Sequence, residues 1–129
     1  MVPSAIFSVF YNDEVLHLTI DSGCTGNIIR LNVVERLNIM MKPTKIKAKL
    51  ADDKTYLEVV GEIDINLTRG KTSFKFEAIV VTQLGPDILA GTPFMKTNDV
   101  MTDFVNELVI VQKKIQIPIY IAANNKWCC

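Results

Sequence analysis

The chain lacks the features that mark nucleic-acid-binding, membrane-spanning and disulfide-stabilised proteins. Its 129 residues carry 14 Lys and Arg against 14 Asp and Glu, and no basic stripe suited to nucleic acid stands out. No apolar run approaches the roughly 20 residues that span a bilayer. Three cysteines do not make a disulfide framework. The length and the 49% of hydrophobic residues fit one small soluble domain with a modest core.

Histidine is almost absent too, and this bears on metal binding. The single histidine, His17, has no partner at ligand spacing, so we expect no metal site and no cofactor. Residues 1–6 carry no basic segment, so we expect no secretory signal peptide. Together with the few cysteines, this indicates a reducing, intracellular and cytoplasmic setting.

The chain does contain many alternating apolar segments separated by turn signals. They predict an all-β domain over residues 1–123, followed by a flexible tail at 124–129. The predicted hairpins are 5–11 with 14–20, 44–50 with 55–60, and 62–68 with 73–82; further strands are 28–31, 100–104, 108–111 and 115–121. Two short helices are predicted, one over 32–37 capped by Asn32 and one starting at Thr92 or Pro93 with Thr92 as its cap. Pro118 favours an edge position or a strand end.

The segment LTIDSGCTG, residues 18–26, carries the strongest chemical signal. An apolar strand ends at Asp21, and two small residues follow at once. Gly23 permits close backbone approach, and Ser22 offers a hydroxyl for a hydrogen-bond network. An aspartic protease needs a carboxylate fixed in this way between small groups. Because Asp-Ser-Gly also occurs in ordinary turns, the motif does not establish a function by itself.

A second motif, DILAGTPFM at residues 87–95, follows about 70 residues later. It reads as a short apolar strand, then Gly91, then a helix start. Alone it could be a routine strand-to-helix connection. Together with Asp-Ser-Gly and the intervening β pattern, it resembles the retropepsin-like aspartic proteases of retroviruses and long-terminal-repeat retrotransposons, including Gypsy-type elements. The resemblance covers residues 5–112.

The resemblance implies a closed antiparallel barrel with a flap hairpin and one or two short helices. It implies that Asp21 is catalytic, flanked by Ser22 and Gly23, and that the segment LADDK at 50–54 is the flap tip. Asp53 stands where the family has a glycine, and a plain solvated turn is the alternative reading of this tip. The implied substrate-binding residues are Gly23, Thr25, Ile28, Ala51, Asp52, Asp53, Lys54, Leu57 and Leu89. For Ile28 and Leu89 a place in the core is equally open.

Aspartic protease chemistry uses two carboxylates that share one proton, but the chain has one such motif. A second Asp21 must therefore come from another copy, which predicts a two-fold homodimer. The substrate would be a peptide or polyprotein, cut between bulky apolar residues. Residues 2–7 and 115–121 are apolar strand candidates without an obvious partner inside the chain. In the family resembled, such termini pair between subunits.

Two other classes remain open. A deoxyuridine triphosphatase would need a glycine-rich phosphate-binding segment near the C-terminus, and residues 115–129 contain no glycine. A catalytically silent β-domain, used for dimerisation or peptide binding, is disfavoured by the intact Asp21-Ser22-Gly23 motif. A protease assay separates these classes.

Overall fold

The computed structural model describes residues 3–49 and 56–123. Two short helices, α1 (Leu31–Arg36) and α2 (Thr92–Thr97), accompany the strands of this part of the chain. The strands are β1 (Pro3–Tyr11), β2 (Glu14–Ile20), β3 (Ile28–Arg30), β4 (Ala48–Lys49), β5 (Tyr56–Leu57), β6 (Val59–Arg69), β7 (Thr72–Val81), β8 (Ile88–Ala90), β9 (Val100–Asp103), β10 (Leu108–Val111), β11 (Ile115–Pro118) and β12 (Tyr120–Ala123). The predicted all-β class with short helices is confirmed.

The main sheet closes on itself. Its strand order is β12-β1-β2-β8-β3-β7-β6, and β1 also pairs with β6 through Phe10 and Thr68. The expectation of a purely antiparallel barrel is wrong in part, because β2 runs parallel to β8 and β3 runs parallel to β7. A parallel pair needs a long crossover connection, and the chain between these strands supplies it. The result is a closed, mixed barrel.

Local turn chemistry sets two of the predicted hairpins. Asn12 and Asp13, with φ values of 47° and 67°, join β1 to β2, as the left-handed pair of a two-residue turn requires. Gly70, with φ of 60°, lies in the two-residue connection between Arg69 and Thr72, which are paired residues of β6 and β7. Both predicted hairpins are confirmed; the second turn was predicted at Arg69-Gly70 and lies one residue later, at residues 70–71.

Both helices form where predicted, but their caps differ from the prediction. Asn32 lies inside α1, and its Oδ1 accepts a hydrogen bond from Arg30 Nε at 2.6 Å instead of capping the helix. Thr92 is the first residue of α2, and Gly91 is the N-cap with no side-chain cap bond. Pro93 fits the first turn of α2 because that turn needs no backbone donor there. Gly91 takes the N-cap position of α2 because it packs closely against the loop that follows β2.

A cluster of buried aromatic rings holds α2 against the barrel. The ring centroids of Phe74 lie 5.9 Å from those of Phe7 and 5.7 Å from those of Phe94. Phe76 meets Phe94 edge-on at 6.0 Å. All four rings are buried, so they join β1, β7 and α2 into one core.

The C-terminal segment differs from the prediction of one strand over 115–121. Pro118 ends β11, which is an edge of the three-stranded sheet β11-β10-β9, as a proline favours. After Ile119 the chain enters β12, which pairs antiparallel with β1 over the register Pro3–Ala123 to Ile6–Tyr120. The expectation that the two ends lack a partner within the chain is therefore wrong. The hydrophobic pattern did not reveal this pairing because it joins residues more than 100 positions apart.

The structure describes the base of the hairpin that was predicted as the flap. β4 pairs antiparallel with β5, with Ala48 opposite Leu57 and Lys49 opposite Tyr56. The predicted tip residues Ala51, Asp52, Asp53 and Lys54 lie outside the described residues. Leu57 is half-buried and packs on a small apolar cluster of the barrel.

We expect the substitution Phe94→Ala to lower the free energy of unfolding by about 3–5 kcal/mol, because it leaves a cavity beside the buried rings of Phe74 and Phe76. The matched control is Phe10→Ala, since Phe10 is 40% exposed. Its loss should stay below about 1.5 kcal/mol. Urea unfolding followed by fluorescence or circular dichroism measures both. Equal losses in the two variants would contradict the assignment of this cluster as the core.

Candidate active site

Asp21 lies at the end of β2, where the strand stops and the chain turns. Its backbone N donates to Ala90 O at 2.9 Å, so the pairing of β2 with β8 continues to the carboxylate-bearing residue. Its Oδ1 accepts a hydrogen bond from Gly23 N at 2.9 Å, and the residue is only 1% exposed. Its Oδ2 is buried and has no hydrogen-bond partner within the described structure. A buried carboxylate oxygen without a donor is costly, so this atom is suited to meet a proton or a hydrogen-bonding group.

The two sequence motifs meet directly beside Asp21. Thr92 N donates to Cys24 O at 2.9 Å, which ties the start of α2 to the Asp-Ser-Gly loop. A Cβ on Gly91 would lie 2.4 Å from Cys24 O and 2.5 Å from Gly26 O. Only glycine permits this approach, because both obstructing atoms are backbone carbonyl oxygens. Gly91 at the N-cap is therefore explained by packing between the loops.

Asn27 also holds the Asp-Ser-Gly loop against Gly91. Its Oδ1 accepts from Gly91 N at 3.0 Å, and its Nδ2 donates to Glu77 O at 2.9 Å. Its backbone O accepts from Ile79 N at 3.1 Å. One side chain thus joins the Asp-Ser-Gly loop, the second motif and β7. Sequence reasoning gave Asn27 no role, and the only signal was an amide among small residues between two strands.

Arg30 holds the segment that leads into β8. Its guanidinium lies 2.6 Å from Asp87 Oδ1 and donates at 3.0 Å to the carbonyl oxygens of Leu84 and Gly85. Its backbone N also donates to Asp87 O at 3.1 Å. Because charged, multidentate bonds are the stronger kind, this cluster positions the segment before β8. The sequence showed both charges but not their contact.

A cavity of about 500 Å³ opens beside the Asp-Ser-Gly loop. Thr25, Gly26, Asn27 and Ile28 line one wall, and residues of β6, β7 and the segment before β4 complete it. Charged side chains of both signs, Lys42, Lys47, Glu62, Asp64 and Glu77, stand around it. The cavity is large enough for part of an extended peptide.

The other predicted binding residues have different environments. Ser22, Gly23 and Thr25 are exposed on the loop, whereas Ile28 is 1% exposed and Leu89 is fully buried. Ile28 and Leu89 belong to a small cluster with Cys24, Val81 and Leu84, on which Leu57 packs. Ile28 thus lines the cavity from within the core, and Leu89 lies deeper. Their role as pocket walls stays a prediction.

A second, more apolar surface borders the same loop. Two shallow cavities of about 240 and 390 Å³ share Ser22, Met95 and Val100 in their walls. Met101 and Phe104 line the first of them and are exposed. The loop that carries Asp21 therefore borders both a cavity of mixed charge and an apolar surface.

Neither a metal centre nor a membrane-spanning helix is found where the structure is described. Within residues 3–49 and 56–123, no three His, Cys, Asp or Glu side chains converge as a metal site. None of the helices in this part is long and apolar enough to cross a membrane.

Solved structures of retroviral protease type share this architecture. The retroviral protease-like domain of Ddi1 from Leishmania major superposes with a TM-score of 0.71 at 16% identity, covering 91% of this chain and 93% of that one. EIAV protease in complex with the inhibitor HBY-793 gives 0.56 at 14% identity, over 70% and 84% of the two chains. A retropepsin-like aspartic protease from Rickettsia conorii gives 0.54 at 13% identity, over 94% and 92%.

These likenesses establish that the chain has a retropepsin-like fold. By sequence, no protein-family model and no curated protein matches the chain. At sequence identities of 13–16%, these similarities show a shared fold but do not show a shared activity. The function must therefore be argued from the site.

We expect Gly91→Ala to lower the free energy of unfolding by about 2–3 kcal/mol or more, because the added methyl group meets two backbone carbonyls that cannot swing away. Gly26→Ala is the matched control, since nothing lies within 4 Å of a Cβ built there. It should remain within about 1 kcal/mol of the parent chain. Chemical denaturation of the three proteins checks this, and a Gly91→Ala protein as stable as the Gly26→Ala protein would refute the interlocked-loop interpretation.

Proposed function

We propose that the protein is an aspartic endopeptidase whose active site forms between two copies of the chain. The observation that carries the proposal is the state of Asp21. It is buried at the end of β2, one oxygen is held by Gly23 N, and the other has no partner among the described groups. The retropepsin-like fold supports the same reaction class. The proposed catalytic carboxylate is Asp21, with Ser22 and Gly23 shaping its loop.

The chemistry requires a second carboxylate beside the first. Two carboxylates in contact cannot both ionise cheaply, so they hold one proton between them. The ionised member then takes a proton from water as the water attacks the scissile carbonyl, and the protonated member donates to the developing oxyanion or to the leaving amine. The described part of one chain holds no second Asp-Ser-Gly loop. A two-fold axis beside Asp21 would supply the partner, because a residue on such an axis meets its own mate.

The substrate in this proposal is an extended peptide. Backbone groups of Gly23 and of the flap would bind it as an added strand, and Thr25 lies where the loop meets the cavity. Ile28 and the half-buried Leu57 and Ile79 give this region an apolar lining, which supports a preference for bulky apolar residues at the cut. A viral-type or retroelement polyprotein is the substrate class that the sequence resemblance adds to this proposal.

A catalytically silent peptide-binding domain is the second candidate. It would use the same groove without needing Asp21. Nothing in its function would require a buried carboxylate with an unpartnered oxygen, which is a destabilising feature by itself. The triphosphatase alternative gains no support, since the fold is of another kind.

We expect Asp21→Asn to abolish peptide cleavage while leaving the unfolding midpoint at or above that of the parent chain. An amide cannot act as base or acid in the dyad, and an uncharged group is cheaper to bury. The readout is cleavage of a peptide library by mass spectrometry, with Asp13→Asn on the exposed β1–β2 turn as the matched control. Undiminished cleavage by the Asp21→Asn protein would rule the proposal out, and so would no cleavage by the parent chain as a verified dimer.

The pH dependence of cleavage follows from the shared proton. We expect a bell-shaped profile with its maximum at mildly acidic pH. Towards higher pH the dyad loses its proton and with it the general acid, and towards lower pH both carboxylates are protonated and the base is lost. Steady-state kcat/KM measured across pH on the same peptide tests this. A rate that keeps rising into the alkaline range would contradict a carboxylate dyad.

A further inference from the structure

We propose that Ser4 is a positioning residue for Asp21, and that its hydroxyl donates a hydrogen bond to Asp21 Oδ2. This inference rests on the proposed function, in which Asp21 is the catalytic carboxylate. It goes further because it assigns a role to a residue of β1, which lies outside both sequence motifs.

Ser4 Oγ and Asp21 Oδ2 are the two buried side-chain nitrogen or oxygen atoms that have no hydrogen-bond partner in the described part of the chain. Ser4 is fully buried, and Asp21 is 1% exposed. A buried polar group without a partner is costly, so two such groups in one small domain require an explanation. Each offers what the other lacks, because a hydroxyl can donate a hydrogen bond and an ionised carboxylate can only accept one.

The register of β1 against β2 brings these two residues side by side. Ala5 is the partner of Ile20. Because the two strands are antiparallel, the next position towards the start of β1 places Ser4 opposite Asp21. Both residues still belong to paired backbone, since β12 pairs with β1 at Ser4 and Asp21 N donates to a carbonyl oxygen of β8. Residues opposite each other in such a pair have their Cβ atoms roughly 4.5–5.5 Å apart.

The two side chains also share one face of the sheet. At the previous position Ala5 and Ile20 both belong to the main core. Successive side chains of a strand point to opposite faces, so Ser4 and Asp21 both point to the other face. That face also carries Leu89, which belongs to the small cluster on which β5 packs. It is therefore the face on which the peptide of the proposed function would lie.

A bond from Ser4 would hold the second oxygen of the carboxylate, since Gly23 N already holds the first at 2.9 Å. With both oxygens bound, the carboxylate of Asp21 could not rotate, and its free lone pairs would keep one direction. Oδ2 would still accept the shared proton, because an ionised carboxylate has about four acceptor positions. The Ser4 hydroxyl has no other bond to break, so rotation about its single side-chain bond costs little.

The first experiment separates the hydroxyl of Ser4 from its size. Threonine and valine have nearly the same shape, and only threonine keeps a hydroxyl. We expect Ser4→Ala and Ser4→Val to lower kcat about tenfold with little change in KM, and Ser4→Thr to restore most of kcat, because a hydrogen bond to a charged group is lost and regained. The matched control is Ser8→Ala, on the same face of β1, which should keep the parent kcat.

Unfolding midpoints show whether each variant is folded. Ser4→Ala should unfold at or above the midpoint of the parent chain, because it removes a buried hydroxyl without a partner. Where the larger side chains at this buried position destabilise the fold, the comparison of Ser4→Ala with the parent chain decides.

The pH dependence of kcat/KM distinguishes positioning from a purely structural role. A hydroxyl that donates to the carboxylate favours its ionised form, so loss of the hydroxyl makes protonation easier. The acidic limb of the profile should therefore move to higher pH in Ser4→Ala and return in Ser4→Thr. Lys96 and Asp99, which line a cavity together with Ser22, are unchanged in every variant, so the shift reports the change at Ser4.

The second experiment does not rely on cleavage. Carbon NMR follows the Asp21 carboxyl across pH in the parent and Ser4→Ala chains, and the Asp21→Asn chain assigns the signal. We expect the signal to titrate at higher pH in Ser4→Ala, and Ser8→Ala to match the parent chain. Equal titration curves in Ser4→Ala and the parent, a Ser4→Ala chain with the parent kcat, or a Ser4→Val chain as active as Ser4→Thr would each overturn the proposal. An inactive parent chain that shows the expected NMR difference would overturn the proposed function instead.

Discussion

The close approach of Gly91 to the carbonyl oxygens of Cys24 and Gly26 is the contact on which the site depends. It lets the end of β8 lie directly against the loop that follows β2, so that Asp21 N can reach Ala90 O. A side chain at position 91 would separate the two loops. Asn27 then bonds to the backbone of Gly91 and fixes the distance that the glycine permits. The geometry around Asp21 is thus set by backbone packing between the two loops.

This contact lies at one of the two parallel pairs of the mixed sheet. β2 and β8 run parallel, so both lead, at their C-terminal ends, into the same junction. The ends of parallel strands carry loops to one edge, where functional groups can gather. Arg30 also contributes to this junction, since its bonds to Asp87, Leu84 and Gly85 hold the segment that enters β8. Paired strands therefore hold a loop in which Ser22, Gly23 and Thr25 are exposed while Asp21 is buried.

Sequence reasoning succeeded where short-range chemistry determines structure. The turns at Asn12-Asp13 and Gly70 adopt left-handed backbone conformations that these residue types tolerate, and the alternation of the flanking strands follows. It failed for contacts between segments that lie far apart in the chain. The pairing of β1 with β12 and the bonds of Asn27 depend on contacts across 50 or more positions, for which one sequence holds no local signal. The predicted cap of α2 failed for the same reason, because Gly91 takes the N-cap position and packs against the carbonyl oxygens of Cys24 and Gly26.

The carboxylate at Asp21 and the apolar surface lined by Met95, Met101 and Phe104 are both unfavourable in a single chain. A buried oxygen without a donor destabilises a single chain, and so does a large apolar surface left in water. Ile20 and Ser22, the two neighbours of Asp21 in the chain, both line one of the shallow cavities. The second copy that the proposed function requires would relieve the first feature, since two carboxylates in contact share one proton. Stability and catalysis would then depend on the same contact, and a chain that cannot make it would be inactive because its site is half built.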